Sequence, residues 1–176
     1  MKLEYILERK DFMEYLLFSA WENKKSRYIK NILKFFIISI FVYAAINAFN
    51  KENIVLSIVF GVFAVLVFTF FGKVFNSKLK KQFSEVVDFN YSKRIGEKET
   101  IEFSAENMIT EDKNGIGKFK ISDIEKINET QNNFFIKLLD GSSVIVSKNG
   151  IENSERFKNK FKELNIPIVK HLSRKW

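Results

Sequence analysis

The chain lacks cysteine and contains a single histidine, and both shortages narrow its chemistry. Without cysteine there is no disulfide, no thiol nucleophile and no thiolate metal site. His171 lies near the end of the sequence among basic residues, which is typical of a tail residue and not of a catalyst. The sequence has neither an HExxH nor a G-x-S-x-G motif, so it lacks the residues typical of zinc hydrolases and of serine hydrolases. We therefore expect a non-enzymatic protein without catalytic residues, metal or cofactor.

Two further patterns are weak candidates for chemistry. The segment Asn114-Gly115-Ile116-Gly117-Lys118 has glycine and lysine without the phosphate-loop spacing, and it lies between predicted strands, so we interpret it as a hairpin turn. Glu97, Glu99 and Glu102 are predicted to lie on the exposed face of an alternating strand. An enzyme that uses paired carboxylates is therefore the last-ranked alternative.

The scarcity of proline and glycine leaves two long apolar runs intact, at residues 32–49 and 54–71. Each run has 18 residues, and Lys34 is the only charge in either. As helices they would each measure about 27 Å, close to the hydrocarbon thickness of a bilayer. A buried hairpin in a soluble core would need a polar stripe, and the second run offers only Ser57 and Thr69. A cleaved signal peptide would begin nearer the N-terminus. The runs predict a transmembrane helical hairpin at residues 31–72.

The positive charge of the chain is concentrated beside this hairpin. The net charge is +8, and nine basic residues without an intervening acid flank the two spans. They are Lys24, Lys25, Arg27, Lys30, Lys34, Lys73, Lys78, Lys80 and Lys81. The remainder has no basic excess, so we expect no nucleic-acid partner. The turn carries only Lys51 and Glu52. The positive-inside rule then predicts a multi-pass protein of the bacterial cell membrane with both termini in the cytoplasm.

The flanking segments predict an α+β protein. Residues 1–30 indicate a short strand, then an amphipathic helix that begins with an Asp11/Glu14 capping box. An interfacial helix and a helix packed on the soluble domain remain equal alternatives for that segment. Residues 73–90 keep apolar side chains at helical spacing and predict a helical extension of the second span.

Residues 91–176 predict a small antiparallel β domain in the cytoplasm that ends with one helix. Alternating apolar positions mark several short strands, and Asp140-Gly141 is a strong tight-turn signal. Asn153 or Ser154 is the predicted cap of the last helix, and Pro167 ends it. A strand meander followed by one amphipathic helix is the order found in pleckstrin-homology-like modules.

The order of these segments resembles the YcxB-like membrane proteins. The segment DFMEYLLFSAW precedes a basic stretch and the paired spans, and GIGKFKISDIEKINETQNNFFIKLLDGSSVIVSKNGIENSERFKNKFKEL follows. The residues that match the family pattern are Phe119, Asp123-Ile124, the 134–138 strand and the 144–148 strand. Phe119 stands where tryptophan is common, and Ser147-Lys148 where Pro-Lys is expected. The resemblance implies two transmembrane helices and a C-terminal YcxB-like domain, with no activity attached.

We expect the cytoplasmic domain to be a binding module held at the inner face of the membrane. One alternative is a self-protection (immunity) protein against a bacteriocin or secreted toxin, as small two-span proteins of Gram-positive bacteria often are. A second is a lipid-headgroup sensor that uses Lys113, Lys118 and Lys120. The expected partners are membrane lipids and either another membrane protein or a toxin. Small residues in the spans also allow a homo-oligomer: Ala44, Ala45, Ala48, Gly61 and Ala64.

Overall fold

The computed structural model describes residues 1–113, 115–151 and 154–174. The chain forms two compact units, Leu17–Phe83 and the combination of Met1–Leu16 with Ser84–Trp176. We call them the hairpin unit and the β-rich unit. The predicted turn residue Asn114, the predicted cap Asn153 and the terminal Trp176 lie outside the described residues.

Three helices supply the hairpin unit: the end of α1 (Arg9–Glu22), all of α2 (Lys24–Asn50) and most of α3 (Ile54–Asn90). The side chain of Asn23 caps α2, accepting hydrogen bonds from the backbone N–H groups of Lys25 at 2.9 Å and Ser26 at 3.3 Å. Asn53 caps α3 in the same way, through Leu56 N–H at 3.1 Å. Between α2 and α3 the chain reverses in three residues, with Glu52 at φ 61°. The helix α3 continues without a break through residues 73–90.

The apolar side chains of α2 and α3 lie mostly on the outside. In each helix only 6% of the most apolar window is buried, and Val55 is 75% exposed. Two hydroxyl groups bond within their own helix: that of Thr69 donates to the Val65 carbonyl at 3.0 Å, and that of Ser39 donates to the Phe36 carbonyl at 2.8 Å. The small residues Ala48 and Ala64 are buried within the single chain. Both helices are long and apolar enough to span a membrane.

The first sheet of the β-rich unit has four antiparallel strands in the order β1-β2-β3-β4. They are β1 (Lys2–Ile6), β2 (Lys98–Phe103), β3 (Asn107–Asp112) and β4 (Gly115–Lys120). The predicted N-terminal strand therefore does not belong to a separate segment of residues 1–30. It pairs with β2, with Leu3 opposite Ile101, because its buried face completes the apolar face of that sheet.

The second sheet has the order β7-β6-β5-β8. It comprises β5 (Ile124–Glu129), β6 (Asn133–Leu138), β7 (Ser143–Ser147) and β8 (Ile168–Lys170). The predicted turn at Asp140-Gly141 is present, with Gly141 at φ 87°, a value that favours glycine. The strand β8 was not predicted. It pairs in parallel with β5, Ile127 opposite Ile168, and so makes this sheet mixed.

An aromatic core joins the two sheets through α4 (Ser154–Glu163). Phe157 and Phe161 of this helix are at most 1% exposed. The ring of Phe161 contacts Phe103 of the first sheet at 5.0 Å between ring centres, and Phe157 contacts Phe134 of the second at 4.7 Å. Edge and tilted ring pairs of this kind add stability beyond burial.

The start of α1 differs from its prediction. The helix begins at Arg9, so Asp11 is its third residue and not its cap. Asp11 Oδ2 accepts from the N–H of Glu8 at 2.8 Å, which is the second half of a capping box. The Phe12 ring is fully buried and stacks on Tyr91 at 4.6 Å, and Arg9 Nε lies 2.7 Å from Asp88 Oδ1. The first turns of α1 thus pack within the β-rich unit, which agrees with the alternative of a helix packed on the β domain.

Candidate functional site

The three predicted headgroup lysines do not form one site. Lys113 precedes β4, and its Nζ is 2.6 Å from Glu97 Oε1. Lys118 and Lys120 lie on one face of β4 and are exposed. Lys120 is the last residue of that strand, so the three ammonium groups are distributed along its whole length instead of converging.

The two basic flanks meet at one end of the hairpin. Lys24, Lys25, Arg27, Lys30 and Lys34 occupy the first part of α2, and Lys73, Lys78, Lys80 and Lys81 occupy α3 beyond residue 72. Lys30 Nζ donates to Asn76 Oδ1 at 2.9 Å, which links the two stretches. Lys34 Nζ lies 4.0 Å from the centre of the Phe68 ring, a cation–π contact for the one charge inside a predicted span.

A buried polar cluster at the β5–β6 turn was missed by the sequence analysis. The residues of this cluster lie at or next to the ends of β5, β6 and β7. Each is at most 3% exposed: Asn128, Glu129, Thr130, Asn133 and Ser147. Lys148 Nζ lies 2.9 Å from Glu129 Oε1 and 2.6 Å from the Thr130 carbonyl oxygen. The segment Asn128-Glu129-Thr130 contains only polar residues, and nothing local distinguishes it from an exposed turn.

The helix α1 contributes to this cluster. Glu14 Oε2 accepts from the side-chain amides of Asn132 at 3.1 Å and Asn133 at 3.0 Å. Burial raises the pKa of the nearby Asp11 carboxyl, and hydrogen bonds to Glu8 and Asn133 oppose that shift. Among the described residues, the buried atoms Glu14 Oε1, Glu129 Oε2 and Asn133 Oδ1 have no hydrogen-bond partner. The cluster is enclosed by protein, so it ties α1 to the second sheet and does not present a surface to a ligand.

The strands β4 and β7 border an open cleft of about 480 Å³. It contains one ionic network. Arg94 Nη2 lies 2.8 Å from Glu99 Oε1, and Arg94 Nε lies 3.2 Å from Asp112 Oδ2. The Arg94 guanidinium also lies 5.6 Å from the centre of the Phe12 ring, which packs it against α1. The aromatic residues Tyr15, Tyr91 and Phe119 complete the walls.

The position of Glu99 corrects a prediction. Glu99 is 4% exposed and not on the solvent face, because it shares its side of β2 with Ile101 and Phe103. Burial raises the pKa of its carboxyl, and Arg94 opposes that shift through charge and hydrogen bonding. Burial and the adjacent Glu99 also raise the pKa of the Tyr5 phenol. Glu102, in contrast, is exposed as expected.

The cleft offers fixed charges and strand edges. Within residues 1–113, 115–151 and 154–174, no group of three or more acidic or histidine side chains could hold a metal ion. His171 is not a loose tail residue. Its N–H donates to the Glu129 carbonyl at 2.7 Å, and its Nε2 lies 3.2 Å from Asn128 Oδ1, so it follows β8 in a fixed position.

Comparison with known proteins confirms the resemblance over one segment. Residues 103–161 match the family model described as YcxB-like protein. The matched segment runs from the end of β2 into α4, and the two apolar helices precede it. No curated protein and no solved structure matches the chain.

Proposed function

We propose that this YcxB-like protein is a membrane-anchored, non-enzymatic binding module, whose β-rich unit holds an extended segment of a protein partner in the cleft between β4 and β7. The observation that carries the proposal is that the edge strands of two sheets border one cleft. Among the described strands, β4 and β7 each have one neighbour, and both border the same cleft.

The edge of β4 suits the addition of a further strand. An edge strand presents a row of unpaired backbone donors and acceptors, and an extended peptide can complete it. Ile116 on β4 is 71% exposed and offers an apolar contact beside that edge. The backbone therefore provides affinity, and the walls of the cleft provide selectivity.

The charges of the cleft indicate the chemistry of the partner. Among the described residues that line it, Glu99, Glu111 and Asp112 are acidic and Arg94 is the one cation. The acidic excess favours a segment with a basic side chain. Because Arg94 already holds Glu99 and Asp112 in place, the site is preorganised and little ordering cost remains for binding.

The surface of the hairpin supports the membrane anchor. Many of its large apolar side chains are exposed, and its basic residues other than Lys51 lie toward the end away from the 51–53 turn. In a bacterial cell membrane the positive-inside rule then gives a multi-pass protein with both termini in the cytoplasm. The strands β2 to β7 followed by α4 also have the element order of pleckstrin-homology-like modules, which supports binding over catalysis.

In-cell photocrosslinking tests the partner site. A photoreactive amino acid replaces Ile116 in the full chain, and the matched control replaces Leu139, which is 67% exposed on the β6–β7 turn. We expect a discrete protein adduct from position 116 alone, and we expect Glu111→Lys to abolish it by reversing a charge of the cleft. The same adduct from both positions, or no adduct from position 116, would refute the proposal. The self-protection alternative stays a prediction. Its test is whether cells that express the chain survive exposure to a toxin encoded beside its gene.

A further inference from the structure

A second concave surface lies between α4 and β8, and its charge is opposite to that of the β4–β7 cleft. This groove measures about 430 Å³. Among the described residues, Lys158 and Lys162 from α4 and Lys170 from β8 line it, together with the acid Glu155. The two sites share no lining residue. We call this surface the lysine groove.

The backbone fixes the walls of the lysine groove. Asn165 ends the helical segment at φ 57°, and its N–H donates to the Lys162 carbonyl at 3.0 Å. The Ile127 N–H donates to the Pro167 carbonyl at 2.9 Å, which begins the pairing of β8 with β5. Since α4 is anchored in the aromatic core, the lysines project from two fixed elements.

Lys158 is held in place within this groove. Its side chain is 13% exposed, and its ammonium group contacts Glu155 and lies 3.7 Å from Glu129 Oε1. These acids raise the pKa of Lys158, so its positive charge is maintained. In turn Lys158, Lys162 and Lys170 lower the pKa of the Glu155 carboxyl, with the hydrogen bond from Lys158 as the main cause.

Lys162 and Lys170 provide the charge available to a ligand. Neither forms a salt bridge with another described residue, whereas Lys98 and Lys113 elsewhere in the unit are paired with Glu4 and Glu97. Three lysines against Glu155 leave an excess of positive charge inside one groove. The apolar residues Ile166 and Ile168 lie beside them and can contact a carbon skeleton.

We infer that the lysine groove binds a phosphate-bearing anion, either the headgroup of an anionic lipid or a soluble phosphate ester. A phosphate oxyanion accepts several charge-assisted hydrogen bonds, and lysine ammonium groups supply them without a fixed geometry. The inference goes beyond the proposed protein partner, because it concerns a different surface of the same unit.

Lysine footprinting on the full chain tests this inference. The protein is reconstituted in phosphatidylcholine nanodiscs, acetylated in short pulses and analysed by mass spectrometry. The probes are glycerol 3-phosphate in solution and, separately, nanodiscs that contain phosphatidic acid, all at matched ionic strength. At a saturating concentration of the phosphate probe we expect acetylation of Lys162 and Lys170 to slow by about tenfold, since the probe must then dissociate before a lysine can react. Lys118 and Lys120, exposed on β4, are the internal control and should be unaffected.

The two probes distinguish the sources of phosphate. Protection by glycerol 3-phosphate identifies a soluble ester, and protection only in phosphatidic acid nanodiscs identifies a headgroup. The variant Lys162→Glu/Lys170→Glu should remove saturable binding, and the matched variant Lys118→Glu/Lys120→Glu should retain it. Equal protection of all four lysines, or protection of none, would overturn the inference. The crosslink at position 116 is independent of this result, so the two proposals can fail separately.

Discussion

The hairpin unit and the β-rich unit place apolar side chains in opposite environments. In the hairpin unit Phe36 is 62% and Val65 is 62% exposed, while in the β-rich unit Phe134, Phe157 and Phe161 are at most 1% exposed. Exposed apolar area of this extent in a soluble unit would favour association. The β-rich unit therefore supplies its own apolar environment, whereas the apolar side chains of the hairpin unit would need one from outside the chain.

The two units also treat charge differently. Four basic residues of the hairpin unit contact rings or amides: Arg27, Lys30, Lys34 and Lys73. The β-rich unit buries charges in pairs, as with Lys148 and Glu129, whose side chains are 17% and 4% exposed. Charge in the first unit is therefore gathered beside the apolar helices, and charge in the second stabilises one arrangement of strands.

Breaking the buried pair should have the largest effect on the β-rich unit. Lys148→Met leaves Glu129 with only Lys158, at 3.7 Å, and should lower the free energy of unfolding by about 3 kcal/mol. Glu129→Gln should lower the free energy of unfolding by clearly less, because Lys148 keeps its hydrogen bond to the Thr130 carbonyl. Hydrogen exchange of β5 and β6 amides in the full chain measures both changes. Equal effects of the two variants would show that the buried carboxylate is not the cause.

A charge on an exposed apolar position sharpens the contrast between the units. Val65→Arg should oppose membrane insertion by about 3 kcal/mol, because an arginine near the middle of a span is costly. Leu139→Arg changes a side chain of similar exposure, 67%, and should leave insertion unchanged. The measurement is the membrane-integrated fraction after alkaline extraction. If Val65→Arg behaves as Leu139→Arg does, the hairpin surface is not covered by lipid.

The ionic network of the β4–β7 cleft should respond asymmetrically to mutation. Arg94→Gln leaves the Glu99 and Asp112 carboxylates without their shared cation. Because the Arg94 side chain is partly exposed, we expect the free energy of unfolding to fall by only about 2 kcal/mol. Glu99→Gln keeps Arg94 paired with Asp112 and should cost less. The readout is hydrogen exchange of β2 and β3.

The same network predicts a pH dependence. Because the folded-state pKa of Glu99 is raised above 4.5, its stabilising contribution is complete below 4.5 and is lost as pH rises through the folded value. The stability of the wild type relative to Glu99→Gln should therefore fall from pH 4.5 toward neutrality. A rise over that range would contradict the assignment.

The exposed pair of Arg9 and Asp88 should have the smallest effect. The carboxyl pKa of Asp88 is lowered by its hydrogen bond with Arg9, so this contribution is present above 3.8 and is lost as pH falls through the lower folded value. A double-mutant cycle of Arg9→Gln and Asp88→Asn should give a small coupling that high salt reduces further. A large coupling that is insensitive to salt would indicate that the pair is shielded from solvent.

Local patterns in the sequence predict most of the secondary structure. The apolar runs predict α2 and α3, alternation predicts β2 to β7, and the spacing of Phe157 and Phe161 predicts α4. These signals succeed because each element shows its buried face within its own residues. The burial of Glu99 is also predictable from strand alternation, since Glu99 lies on the same face of β2 as Ile101 and Phe103.

The remaining features depend on contacts distant in sequence. The strand β1 pairs with β2, and β8 pairs with β5, and no local pattern indicates either partner. The lysine groove exists only because β8 returns beside α4. The contact of Glu14 with Asn133 likewise joins residues that are 119 positions apart. Local patterns therefore predict the elements other than β8, and they do not predict the sites between elements.

The natural absence of cysteine allows the central claim, a membrane hairpin with a cytoplasmic binding unit, to be tested directly. Single cysteines replace Lys51 in the turn and Ser173 near the C-terminus, and intact cells are treated with a membrane-impermeant maleimide. The account predicts labelling of Lys51→Cys in intact cells, and of Ser173→Cys only after the membrane is permeabilised. Labelling of Ser173→Cys in intact cells would contradict it.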